Sequence, residues 1–173
     1  MCRFGKRVYE RYGFRGADLR DVNLICADLE IAYLKNANLS NANLKEVNLK
    51  GADLTKVSAI MTSYFHLQCP ETGSFIAFKK LRDNKIAKLE IPADAKRSSA
   101  TSRKCRANKA KVLDIFRVDN IEEKFEISYS KYDRSFKYEV GELVVPDDFD
   151  DNRFNECSSG IHFFITLQEA IDY

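Results

Sequence analysis

Three groups of side chains in this 173-residue sequence are of types that could do chemistry. The first pairs thiols with imidazoles. Cys157 and His162 stand five residues apart across Gly160, and His66 lies near Cys69. A thiol beside an imidazole is the arrangement that activates a sulfur nucleophile, and two cysteines with two histidines fill a tetrahedral zinc shell. The tight paired spacing of zinc sites is absent, so Cys69, Cys157 and His162 are weak metal candidates, and no cofactor and no catalytic residue are expected. If residues 161–165 form a strand, His162 faces away from Ile161 and Phe163 and serves as a hydrogen-bonded polar residue. The second group is the basic stretch KRSSATSRKCRANKAK, residues 96–111. There Lys96, Arg97, Ser99, Arg103, Lys104, Arg106 and Lys109 combine guanidinium forks, ammonium charge and a hydroxyl. That donor set suits phosphate, carried by a nucleic acid or by a phosphorylated ligand. The third is the acidic loop PDDFDDN, residues 146–152, which lacks the glycine and closing glutamate of a calcium loop and reads as a solvated turn.

The basic stretch has a competitor inside the chain. The overall charge is only +2, yet residues 79–111 carry twelve basic and three acidic side chains, and residues 112–173 carry six basic and fifteen acidic ones. Opposite charges in adjoining segments favour internal salt links over an external polyanion. Aromatic residues for base stacking are sparse between Phe78 and Phe116, which weakens single-strand recognition. The five cysteines are odd in number, widely spaced and without a CxxC, the pattern of reduced thiols in a cytoplasmic protein. No stretch approaches the roughly 20 apolar residues of a membrane span, and the N-terminus has no apolar signal core, so no membrane association is expected.

What must position these groups is legible first as a repeat. From Ala17 to Lys56 the sequence divides into eight pentads, ADLRD, VNLIC, ADLEI, AYLKN, ANLSN, ANLKE, VNLKG and ADLTK. The third position is always leucine (19, 24, 29, 34, 39, 44, 49 and 54), and the first is always alanine or valine. The second is Asp or Asn except at Tyr33. A helix would scatter residues five apart around its axis, so the leucines would form no stripe. In extended chain, positions one and three share a side, and the remaining residues turn a corner so that the next pentad faces inward again. Asp or Asn between the apolar pair suits that corner by bonding nearby backbone. Repeated corners wind the chain into a coil whose turns stack leucine on leucine.

The A(D/N)LXX motif resembles the pentapeptide-repeat family, whose fold is a right-handed quadrilateral β-helix with four pentads to a turn. The resemblance implies two turns here, with YGFRG and VSAIM as degenerate extensions at either end. Some members of that family mimic duplex DNA and act on topoisomerases, but these repeats are electrically neutral and too short for that part. So few turns leave apolar ends, which residues 1–13 and the segment after Met61 are expected to cover. Outward positions are polar except for a group that includes Ile25, Ile31 and Tyr33, which is expected to meet a partner or the second domain.

The expected organisation is an N-terminal cap over residues 1–13, a β-helix over 14–61 and a mostly β α+β domain over 62–173, mainly β overall. In the last, strands are expected at 74–80, 86–91, 111–118, 125–129, 136–145 and 161–165, with a hairpin turn at Asp83-Asn84. Thr166 to Glu169 reads as a capping box opening a short helix. This part is similar to a domain that follows pentapeptide repeats in phage and bacterial proteins. The resemblance implies a two-part protein, of phage origin, and transfers no catalytic residue. The reading of the whole is a non-enzymatic binding protein directed at another protein, a host defence factor if the gene is viral. The basic segment gives the alternative, and a Cys157–His162 enzyme the third.

Overall fold

The computed structural model describes residues 13–173. The predicted cap at 1–13 therefore lies, but for Gly13, outside the described residues. The protein is mainly β and divides into two compact units. One comprises the repeats through Gln68 together with Ser99–Ser102 and Asn152–Cys157; the other comprises Cys69–Ser98, Arg103–Asp151 and Ser158–Tyr173.

In the repeat unit, parallel backbone bridges join residues twenty apart: Gly13 to Tyr33, Asp18 to Asn38, Asn23 to Asn43, Asp28 to Asn48, and on to Asn43 with Ser63. Four pentads thus make one turn of the coil. The Leu19 N–H donates to the Asn38 carbonyl at 2.8 Å, and the Asn38 N–H donates to the Ala17 carbonyl at 2.9 Å. Every corner is a β-turn, closed for example by the Ala37 N–H donating to the Leu34 carbonyl at 2.8 Å. The third turn residue holds positive φ, between 57° and 60° at Asp21, Cys26, Ile31, Asn36, Asn41, Glu46 and Lys56. A type II turn requires that conformation there. The Asp/Asn rule has its cause at the same corner. Asn38, Asn43 and Asn48 each accept, on the side-chain oxygen, the N–H two residues on at 3.1 Å, and Asp53 does so at 3.0 Å.

Positions one and three line the interior as expected. Leu29, Leu34, Leu39, Leu44 and Leu49 are buried with Ala32, Ala37, Ala42 and Val47, while Leu19, Leu24 and Leu54 flank them half-buried. Beyond Met61, Thr62 donates its hydroxyl to the Leu39 carbonyl at 2.6 Å, and Phe65 and Phe154 pack on the leucine cluster. The Asn41 N–H still donates to the carbonyl of Ile60, 19 residues on, but the Glu46 N–H donates to Thr101 at 2.8 Å. Thr101 also donates its hydroxyl to the Val47 carbonyl at 2.6 Å, so a residue distant in sequence continues the backbone pairing where the repeats stop. Arg153 holds that segment by donating to the Ser99 carbonyl at 3.0 Å.

The second unit is built on nine short strands and one helix. Strands β1 (Phe75–Lys80), β2 (Lys85–Ile91), β5 (Ala110–Arg117) and β8 (Leu143–Val144) form an antiparallel sheet in the order β1-β2-β5-β8. Strands β3 (Arg97–Ser99), β4 (Cys105–Ala107) and β9 (Ile161–Phe163) form a second sheet, and β6 (Ile127–Tyr129) with β7 (Lys137–Glu139) a third. The β1–β2 turn carries Asp83 and Asn84 at φ 56° and 55°, the pair of left-handed residues that a hairpin twisting with its strands demands. One face of the large sheet packs Ala77, Ala87, Leu89, Ile91, Val112 and Ile115 into the main core. On the other, Ile86, Phe116 and Phe164 meet helix α1 (Leu167–Asp172) through Ala170. The capping box is present: Thr166 accepts the Glu169 N–H, and the Glu169 carboxylate accepts the Thr166 N–H.

Two sequence expectations are corrected here. The run 136–145 is not one strand, because Gly141 at φ 89° turns the chain between β7 and β8. The basic stretch, where no strand was expected before residue 111, contains β3 and β4.

Candidate partner-binding surface

The outward apolar residues sit where the coil geometry puts pentad positions two, four and five. Ile25, Ile31 and Tyr33 are 44%, 58% and 51% exposed. Ile31 occupies the corner turn and Tyr33 begins the next side, so those two flank one corner; Ile25 stands at the corner before. Beneath Ile31 the next turn of the coil carries Gly51, at which a Cβ would lie in ordinary van der Waals contact, 3.5 Å, with the Ile31 Cγ1. Two further outward apolar residues, Ile60 and Met61, are exposed as well. Sequence reasoning did not single them out, although their place at positions four and five of VSAIM carries the signal.

The seven residues of the proposed phosphate set are dispersed and engaged within the protein. Lys96 pairs with Asp151 at 3.1 Å, Lys109 with Asp94 at 2.6 Å and Arg103 with Glu169 at 2.7 Å. Burial works against ionisation of Glu169, but the hydrogen bonds from Arg103 and Thr166 outweigh it and hold the carboxyl below its ordinary range. Arg97 donates to the carbonyls of Pro70, Gly73, Pro92, Ala93 and Ala95 at 2.9–3.2 Å, with its guanidinium over the Phe75 ring. Arg106 is buried and donates to the carbonyls of Asp150 at 3.1 Å and Ser159 at 2.8 Å. Ser99 accepts the Gln68 N–H at 2.8 Å, and Lys104 lies buried near the Tyr173 ring.

Among the described residues no three His, Cys, Asp or Glu side chains come together as metal ligands. Cys69 is buried against Cys105, whose thiol is pushed up by that hydrogen bond and then by burial. Cys157 belongs to the repeat unit and His162 to the other, where it lies opposite Arg106 in the β4–β9 pair. Cys69, Cys105 and Cys157 are free thiols, the first two buried and the third exposed.

Sequence reasoning also passed over Lys79. Its ammonium donates to the His162 carbonyl at 3.1 Å and lies 5.9 Å from the Tyr138 ring. Burial, with the charge of Lys104 second, lowers its pKa from 10.5 to about 8. Between those two values the unfolded chain binds more protons than the folded one, so stability rises with pH through that window. Lys79→Met keeps the stem and removes the charge. It is expected to stabilise the protein at pH 7 by on the order of 1–2 kcal/mol, with the gain shrinking toward pH 10. Urea midpoints of both proteins across that range check this; a gain independent of pH contradicts it.

Among the described residues no helix is long and apolar enough to cross a membrane. Pentapeptide repeats are matched at residues 32–62, and the family described as a family of unknown function (DUF5758) is matched at residues 65–170. The chain is similar to "Uncharacterized protein L223" of Acanthamoeba polyphaga mimivirus, with 39% identity over 97 residues. The match takes in 51% of this chain and 61% of that protein, so the chain spans about three fifths of the relative's length. No solved structure matches. The chain is therefore a repeat protein, and by the match over its C-terminal part it belongs to the DUF5758 family.

Proposed function

We propose that this is a non-enzymatic binding protein. In this reading residues 14–61 are a short right-handed four-sided β-helix, a rigid platform whose Ile31–Tyr33 corner, with Ile25 beside it, receives a partner protein. The observation that carries the reading is Ile31. It is a β-branched residue held at φ 60° with 58% of its surface exposed. A β-branched side chain is strained in that conformation; the other corners of the eight pentads use Asp, Cys, Asn, Glu, Gly or Lys, and beyond them the exposed apolar Met61, at φ 52°, is unbranched. An isoleucine there costs stability twice, through the backbone and through exposed apolar surface, so its presence points to a role outside the fold. The relative's viral origin supports a host protein as the partner, with a defence factor as the specific form of the proposal. The basic segment 96–111 has a structural part in this reading, since Arg97 and Arg106 direct their donors to main-chain carbonyls.

Site-specific photo-crosslinking tests it. Benzoylphenylalanine in place of Tyr33 or Ile31 is expected to give one discrete heterologous adduct in host extract, and none when placed at the exposed polar Arg20. The adduct should disappear when Ile25→Lys is added. Equal adducts from all three positions, or an adduct at twice the mass of the chain, would contradict the reading.

A further inference from the structure

We propose that the free edge of β8 takes up an extended peptide segment of a partner protein as an added strand, and that the segment alternates apolar and basic residues. The site lies in the second unit and does not rest on the coil surface.

Three observations converge there. The first is an open sheet edge. β8 is the last strand of the order β1-β2-β5-β8 and pairs on its inner side with β5, Ala110 opposite Val144 and Lys111 opposite Leu143. The Val112 N–H donates to the Glu142 carbonyl at 2.9 Å, and facing pairs in an antiparallel ladder alternate between bonded and unbonded. At the next position, the pleat therefore turns the N–H and C=O of Leu143 outward. An outward-facing donor and acceptor on an edge are a template for another strand.

The second is side-chain character. Val144 is buried, while Leu143 and Val145 on the other face are 53% and 58% exposed. Exposed edges are ordinarily guarded by charge; here two apolar side chains stand at the unpaired rim. They border an open recess of about 520 Å³ whose walls include Phe136, Lys137, Glu139 and Glu142.

The third is charge, which chooses the occupant. Residues 135–151 contain Lys137 as their single basic residue against Glu139, Glu142, Asp147, Asp148 and Asp150, with Asp151 taken up by Lys96. Lys137 is already paired to Glu139 at 2.6 Å. An arriving strand places alternate side chains toward Leu143 and Val145 and the others toward the carboxylates, so apolar and basic residues in alternation fit. Pro146 ends the edge, so the template is short and the affinity modest.

The test uses a fluorescent heptapeptide alternating lysine and valine, titrated into the full chain by anisotropy. Saturable binding is expected, weakening at least about tenfold as salt is raised from about 50 to 500 mM, since exposed charge pairs are screened. Leu143→Lys, a change at an exposed position, should abolish it. Methylation of alternate peptide nitrogens should abolish it too, because strand addition needs those donors. The proposal is overturned if an alternating glutamate–valine peptide binds as well, if Leu143→Lys or N-methylation leaves binding intact, or if no binding is seen at about 1 mM peptide, a free energy near 4 kcal/mol.

Discussion

Leu44→Ala is expected to destabilise the repeat unit by about 3–5 kcal/mol, a large share of the stability of a small domain. Leu44 has no exposed surface and is stacked within a column of leucines and alanines that are themselves buried. The turns of the coil above and below are tied by backbone bridges every five residues, so the walls cannot close around the void. Leu24→Ala serves as the internal comparison. Leu24 is half-buried at the margin of the same cluster, and its loss should cost roughly half as much. Urea titration of both variants measures this. Equal effects, or a small effect at Leu44, would mean that the leucines do not form one inner wall.

The second large effect is expected at Arg106→Ala, also about 3–5 kcal/mol. Its buried guanidinium donates to the Asp150 and Ser159 carbonyls and lies 5.7 Å from the Phe149 ring. Truncation removes a donor from both carbonyls, of which Ser159 keeps only the long bond from the Asp150 N–H at 3.4 Å, and leaves a hole beside Phe149. Both carbonyls accept from one guanidinium nitrogen, Nη1, so Arg106→Lys should recover part of the loss. Lys96→Ala, in an exposed pair with Asp151, should cost under about 1 kcal/mol. Thermal unfolding distinguishes these. If Arg106→Ala unfolds no earlier than Lys96→Ala, the guanidinium is not holding the fold and the basic segment is free for another use.

The contrast between these two residues shows which features the sequence carries. The coil is legible because its rules are local. Leucine every five residues, alanine or valine two before it, and Asp or Asn between them each answer to a contact made within the pentad or with the pentad one turn away. Gly51 and the Asp or Asn at several corners likewise answer to the positive φ. The hairpin at Asp83-Asn84 and the capping box at Thr166 are legible for the same reason. Arg97 and Arg106 are not, since their guanidinium groups are held by carbonyls from Pro70 to Gly73 or from Asp150 to Ser159, and no period marks those partners. Charged residues there suggested phosphate binding or internal salt links, and the short strands β3 and β4 went unread. The same holds for Thr101, which continues the coil's backbone pairing from 55 residues beyond Glu46 without sharing the pentad pattern. Of the candidate surface, the identities Ile25, Ile31 and Tyr33 were readable as violations of the repeat. The strain at Ile31 required the backbone.

That strain supplies the most direct test of a corner kept for binding at the expense of the fold. Ile31→Asn gives the corner a residue that accepts positive φ and removes apolar surface from water. Unfolding midpoints and partner adduct yield from benzoylphenylalanine at position 33 are measured on the same protein. The account predicts that stability rises by about 0.5–1 kcal/mol while the adduct is lost. A variant that is less stable than the parent, or one that is more stable and still captures the partner, would contradict it.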